Sequence, residues 1–245
     1  NKPANSRSKI MADKPRPSPP EQPQPQPQPQ LPPTPPPSSF LSHIAHLDTD
    51  WSSRIHALSE PLIPRAALKL LEISGDGRLW FPITIGLLLS PLSLHSPNLY
   101  TFSLRLLLGL IVDIAVVGTT KHLVRRRRPV YNKEMGLTFA VDHWSFPSGH
   151  ASRVCFVAAL SCLSLSAINE GLDQLKLRKG EIVDQWIGNR DSGNVVWVFG
   201  VLVLFWSIVT SISRVLLGRH FVFDVVVGAC LGVANGLFVY HFLKF

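Results

Sequence analysis

Residues 195–243 read VVWVFGVLVLFWSIVTSISRVLLGRHFVFDVVVGACLGVANGLFVYHFL. Two apolar runs, 195–217 and 221–243, meet at an elbow that carries Ser213, Arg214, Gly218, His220 and Asp224. Each run is close to the ~20 residues an α-helix needs to cross the hydrocarbon core of a bilayer. An ionisable residue inside such a run, as Asp224 is, is read as functional because burying it in lipid is costly. The stretch therefore predicts two membrane helices with chemistry at the end where they join.

Working outward, three more apolar runs, 79–95, 101–120 and 151–168, bring the predicted spans to five. A weaker sixth, 57–73, contains Pro61, Pro64, Arg65, Lys69 and Glu72. Each such charge costs about 2.5 to 3.5 kcal/mol at a bilayer centre, so hydropathy alone would not insert it. Between Phe40 and Ser59, Ile44, Leu47, Trp51, Ile55 and Leu58 recur at helical steps opposite Asp48, Asp50, Ser53, Arg54 and His56. That pattern predicts a helix lying on a membrane surface or packed on the bundle. Loop 169–194 mixes acidic and basic residues and reads as a solvated connector.

The fold class is thus all-α, a multi-pass membrane bundle over residues 40–245, preceded by a tail over 1–39. Apolar residues make up 46% of the 245-residue chain against 16% charged, with a mean hydropathy of +0.19, which excludes an ordinary soluble domain. The net charge of +8 sits beside apolar spans, so anionic lipid headgroups, not nucleic acid, are the expected partners. Cys155, Cys162 and Cys230 all fall in apolar segments and read as small hydrophobes, with neither a disulfide framework nor a metal site. From Pro15 to Pro37 the chain alternates Pro and Gln and then clusters Pro, a composition that favours polyproline II and cannot bury a core. It reads as a disordered spacer, with docking to an SH3- or WW-type partner as the alternative. No cleaved signal peptide is expected, and residues 1–10, ahead of Met11, carry no fold argument.

Chemistry concentrates in three clusters. The first is Lys121, then Arg125 to Arg128 and Pro129. If the helix continues past the membrane edge, Lys121, Arg125 and Arg128 share one face and converge on one anion, with Arg125 as an auxiliary. The second is Pro147-Ser148-Gly149-His150, just before a helix. Ser148 and Gly149 would offer backbone N–H groups and the positive end of the helix dipole to an anion. His150 would protonate a departing oxygen. The third is Arg214, His220 and Asp224. Asp224, one turn after His220, would accept its ring proton and leave the other nitrogen free to attack phosphorus, while Arg214 supplies a planar bidentate donor. The clusters follow span two, precede span three and join spans four and five, so parity alone places them on one membrane face.

In order and spacing these residues resemble the three-part signature of the type 2 phosphatidic acid phosphatase (PAP2) superfamily, from Lys121 to Asp224. Ser145 to His150, with Gly75-Asp76-Gly77 and the short chain, are most similar to its polyisoprenoid diphosphate phosphatase and plant lipid phosphate phosphatase beta branch. The resemblance implies a six-helix core and a metal-independent, cofactor-free enzyme that removes phosphate from a polyisoprenyl diphosphate or a phosphatidate in the endoplasmic reticulum membrane. It implies His220 as the nucleophile forming a phosphohistidine, Asp224 as its orienting partner, and His150 as acid and then base. Lys121, Arg128, Ser148, Gly149 and Arg214 would bind the phosphoryl oxygens. Two alternatives stay open: a phosphotransferase using the same histidine with another acceptor, and a catalytically silent scaffold.

Asp113, inside span 101–120, either pairs with an Arg, lines a lipid path or holds a neighbouring helix. Trp144 and Phe146 read as interface anchors. If 57–73 crosses, the site lies opposite the tail, the lumenal or external arrangement that the resemblance implies; because 57–73 is expensive to insert and Arg125 to Arg128 suit the cytosolic side, the expectation is a flat segment and a cytosolic site.

Overall fold

In the computed structural model, residues 39–131, 144–187 and 191–244 are described, with only the backbone of Ser39, Leu41 and 179–187. The Pro/Gln-rich stretch and residues 1–38 lie outside them. The described residues form nine helices: α1 (Ser39–Ser59), α2 (Arg65–Ser74), α3 (Gly77–Leu88), α4 (Pro91–His95), α5 (Pro97–Val124), α6 (Gly149–Leu163), α7 (Leu165–Ile187), α8 (Ser192–Leu216) and α9 (Val222–Phe242). They belong to one compact unit, Pro37–Phe245.

Helix starts follow local chemistry. Asp76, Ser90 and Ser148 each accept a first-turn N–H through the side chain, and Pro91 and Pro97 sit where a missing N–H costs nothing. At the centre α6 packs against α9. A Cβ added at Gly228 or Gly232 would collide with the Ser148 or Ser152 carbonyl, and one at Gly236 would lie 2.9 Å from Ala159 Cβ. Small residues at four-residue steps let two backbones touch, the usual device where lipid removes the hydrophobic drive for helix association. Above this seam Phe156, Leu160, Leu106, Leu110 and Val239 form the main apolar core.

Three helices, α5, α8 and α9, are long and apolar enough to cross a membrane, and α6 with α7 makes a fourth if that pair, bent by 71°, is one span. The multi-pass helical fold stands, but two of the five predicted spans, 79–95 and 151–168, are not single membrane-length helices and the weak sixth does not form a span. Run 79–95 is split into α3 and α4, and α3 alone, 12 residues, is about 18 Å long. Segment 57–73 is a turn followed by the 10-residue α2, too short to span. Where a solvated loop was expected over 169–194, α7 continues as helix to Ile187.

The path is nonetheless regular. Glu72 and Gly75, at the end of α2, lie against Arg214 and His150, so α3 departs from the end of the bundle that holds the clusters. Asn98, at the start of α5, bonds Glu170 of α7 at the opposite end. Helix α3 with α4, then α5, α6, α8 and α9 thus make five passes through the bundle, while α1 and α2 stay at the cluster end.

Helix α1 is turned the other way from its apolar pattern. Its polar stripe faces the bundle: Ser52 is fully buried and accepts Val222 N–H at 2.9 Å, and His56 Nδ1 lies 2.7 Å from Leu216 O. Ile44, Leu47, Trp51 and Leu58 are exposed, which leaves the apolar stripe to lipid, as a membrane-surface helix requires.

Candidate functional site

The three clusters meet at one end of the bundle. Helix α5 does not run on to Arg128: Arg125 adopts a left-handed conformation (φ 51°) and donates its N–H to Lys121 O at 3.0 Å, closing the helix at Val124. The face proposed for Lys121, Arg125 and Arg128 is therefore not formed. Arg125 is exposed, its Nε on His122 O at 2.9 Å, and its auxiliary role has no geometric support. The chain instead runs back across the helix ends. Arg127 bridges Trp144, Ser145 N donates to Arg126 O at 2.8 Å, and buried Lys121 donates to Trp144 O at 2.6 Å.

From the other side, α8 ends in a turn at Gly218, whose φ of +67° and contact with the Tyr131 ring suit a residue without Cβ. The N–H groups of Arg219 and His220 both reach Arg214 O, at 3.0 and 3.2 Å. This folds His220 inward until 1% of it is exposed.

His220 Nδ1 lies 2.7 Å from Ser145 O, so Nδ1 donates and Nε2 keeps a lone pair. Asp224 Oδ2, at 3.8 Å, is within ion-pair range but too far for a hydrogen bond. The expected direct His220–Asp224 bond is thus replaced by an indirect one. Asp224 accepts Ser145 Oγ–H and Phe221 N–H (3.0 Å), and so fixes the residue whose carbonyl holds the imidazole. Its backbone carbonyl also accepts Ser148 N–H at 2.9 Å, tying the second cluster to the third.

Burial pushes His220 down to about 4; the interaction with Asp224 opposes this, and the charges of Arg128, Arg214 and Lys121 add to it. Its imidazole is therefore neutral at physiological pH, the form a nitrogen nucleophile needs. The charges of those three cations act on His220 from two of the clusters. Arg214, Arg153, His220 and Arg128 likewise act on His150, in the first turn of α6. His150 Nε2 is buried without a hydrogen-bond partner among the described residues. Ser148 Oγ caps Ala151 N–H, while Gly149 packs on Val117 at the same helix start.

Several site residues were not anticipated. Arg126, set aside on the continuous-helix reading, donates from Nη1 to Asp224 at 2.7 Å. Glu72, read only as a cost of insertion, puts Oε1 3.0 Å from Arg214 Nη1 and 3.5 Å from Arg219 Nε. Asp113 resolves as a helix tie: Ser152 Oγ donates to it, and Arg153 Nη2, 3.7 Å away, belongs to a guanidinium that also donates to Gly75 O. Phe146, half-buried, stacks on exposed Phe223 at 6.1 Å.

This geometry can be set beside known proteins. The chain is 43% identical over 207 residues to a probable lipid phosphate phosphatase beta of Arabidopsis thaliana, covering 84% of this chain and 93% of that one. Its fold is similar to that of the transmembrane PAP2 type phosphatidylglycerolphosphate phosphatase of Bacillus subtilis, with a TM-score of 0.55 at 18% identity over 82% of this chain and 86% of that one. The sequence profile of the PAP2 superfamily matches residues 102–245, which include all eight residues from Lys121 to Asp224 assigned to phosphate chemistry, and the chain belongs to that superfamily.

Proposed function

We propose that the protein is an integral membrane phosphatase acting on a lipid phosphate or diphosphate through a phosphohistidine on His220. The observation that carries this reading is the convergence of Lys121, Arg128 and Arg214 on a buried, neutral His220 whose Nδ1–H is already committed to Ser145 O. Nε2 attacks phosphorus, the P–O bond to the leaving group breaks, and His150, protonated on binding the anionic phosphoryl group, gives that oxygen its proton. Water, giving a proton to His150, then attacks phosphorus and the P–N bond breaks, which restores the Nε2 lone pair of His220 and releases phosphate. The Ser148 N–H, expected to face the anion, is taken by Asp224 O, so the three cations, with the Gly149 N–H and the Ser148 hydroxyl proton at the start of α6, stabilise the equatorial oxygens as charge builds on them. The similarity to a lipid phosphate phosphatase, the membrane-length helices and the exposed apolar face of α1 support a lipid substrate, of polyisoprenyl diphosphate or phosphatidate type.

The reading places the site at the cytosolic face of the endoplasmic reticulum membrane, a placement that fractionation with compartment markers tests. Phosphate release by purified protein in EDTA, from farnesyl diphosphate, presqualene diphosphate, phosphatidate and lysophosphatidate, tests the activity and ranks the substrates. Activity should persist in EDTA and vanish in His220→Ala. Complete dependence on Mg²⁺, or an active His220→Ala protein, would overturn the mechanism. Transfer of labelled phosphate to an added alcohol instead of water would favour the phosphotransferase.

A further inference from the structure

We propose that Asp48, on α1, and Arg126 are positioning residues for the nucleophile, acting through Asp224. Arg126 stands between two carboxylates. Its Nη1 donates to Asp224 Oδ1 and its Nη2 to Asp48 Oδ2, each at 2.7 Å, and its guanidinium carbon lies 4.0 Å from the centroid of the Phe221 ring. Asp48 in turn accepts Phe223 N–H at 3.0 Å, and Ser52, one turn along α1, accepts Val222 N–H. Helix α1 therefore caps the start of α9 with two side chains, two and three residues after His220.

The physical reason for the chain of charges is the burial of Asp224, whose side chain has no exposed surface. A carboxylate there needs a counter-charge, and a guanidinium held at one end only would swing. Asp48 fixes the other end of the fork. The order Asp48, Arg126, Asp224, Ser145, His220 then sets the direction of the imidazole. Asp48 lies upstream of the matched residues 102–245, so a helix outside that region completes the site. Its exposed apolar stripe makes this completion contingent on how α1 seats in the membrane surface.

The inference rests on His220 as nucleophile, so His220→Ala is measured alongside. In the full-length protein in liposomes, Asp48→Asn should lower kcat by about 10- to 100-fold with KM within about twofold, the scale of a small misplacement of a reacting group. Asp48→Glu should recover part of that loss, and exposed Asp50→Asn should change nothing. Arg126→Gln should lower kcat, and adding Asp48→Asn to it should cost little more, because both act through one chain. Midpoints of thermal unfolding should stay near wild type for Asp48→Asn, and if that variant does not fold, Asp48→Glu and the Arg126→Gln background carry the same comparison. An unchanged kcat, additive losses, or a loss that follows thermal destabilisation would overturn the inference. An active His220→Ala protein would instead overturn the nucleophile reading beneath it.

Discussion

Ser145 and His220, 75 residues apart, share a 2.7 Å hydrogen bond between the Ser145 carbonyl and His220 Nδ1. It joins the segment leading into the second cluster to the third and makes the orientation of the imidazole a property of the Ser145 backbone. Asp224 controls that backbone by taking the Ser145 hydroxyl and Phe221 N–H.

Asp224→Asn tests this arrangement. The amide keeps the volume but loses the charge that Arg126 neutralises, and it presents one acceptor where two oxygens served three donors. By analogy with misoriented triad histidines, kcat should fall by about two to four orders of magnitude. Ser145→Ala removes only the hydroxyl link and leaves the carbonyl, so it should cost less, about tenfold. Steady-state kinetics on both variants decide the matter, and a wild-type rate for Asp224→Asn would remove it from the mechanism.

The α6–α9 seam gives a stability prediction. Gly232→Ala places a methyl group onto the Ser152 carbonyl, a backbone atom that cannot rotate away. Separating the helices should cost about 1 to 3 kcal/mol, the range for overpacking a close contact. Gly86→Ala, on α3 with nothing within 4 Å, should be neutral or stabilising by up to about 1 kcal/mol, since Ala is the better helix former. Thermal unfolding in detergent compares the two; equal midpoints would show that the seam tolerates a methyl group.

These features differ in how far the sequence announces them. Lys121, Arg128, His150, Arg214, His220 and Asp224 stand out because an ionisable group beside an apolar run is costly to hold at a membrane edge unless it has chemistry to do there. The α9 glycines also signal themselves, recurring at four-residue steps. The path from Lys121 to Arg128 did not, because left-handed Arg125 has no glycine to mark the break. Nor could periodicity orient α1. A helix between lipid and a polar site has an apolar partner on the outside, so its stripe points away from the protein. Helix α7 was hidden by mixed charge, which hydropathy reads as loop although such residues form helices well.

The run of arginines now separates by geometry. Arg126 bridges Asp48 and Asp224, whereas Arg125 and Arg127 are exposed. Arg126→Ala strands a buried carboxylate and should lower kcat by at least about tenfold, the scale of a small misplacement of a reacting group. Arg125→Ala and Arg127→Ala should stay within about twofold, as exposed charges contribute little. Equal losses across all three would mean that the run acts as a diffuse positive surface.

The membrane side of the site follows from where α1 and α2 lie. Asp48, Ser52 and His56 touch residues 216–223, and Glu72 touches Arg214, so the chain begins and ends 57–73 at the cluster end without crossing. Helix α1 and the site therefore share a face. That end carries Arg125 to Arg128 together with Arg65, Arg78 and Arg219, whereas the other end carries Arg105, Lys176, Arg178 and Lys244 among the described side chains. The prediction from the positive-inside bias is that the basic end faces the cytosol. Single cysteines at Val130, 97% exposed, at Asp50 and at Arg178, in a Cys-free background in sealed microsomes, read this directly. Val130→Cys and Asp50→Cys should both react with an impermeant maleimide before permeabilisation, and Arg178→Cys only afterwards. Labelling of Val130→Cys and Asp50→Cys from opposite sides would break the shared face, and the reverse order for all three would put the chemistry in the lumen.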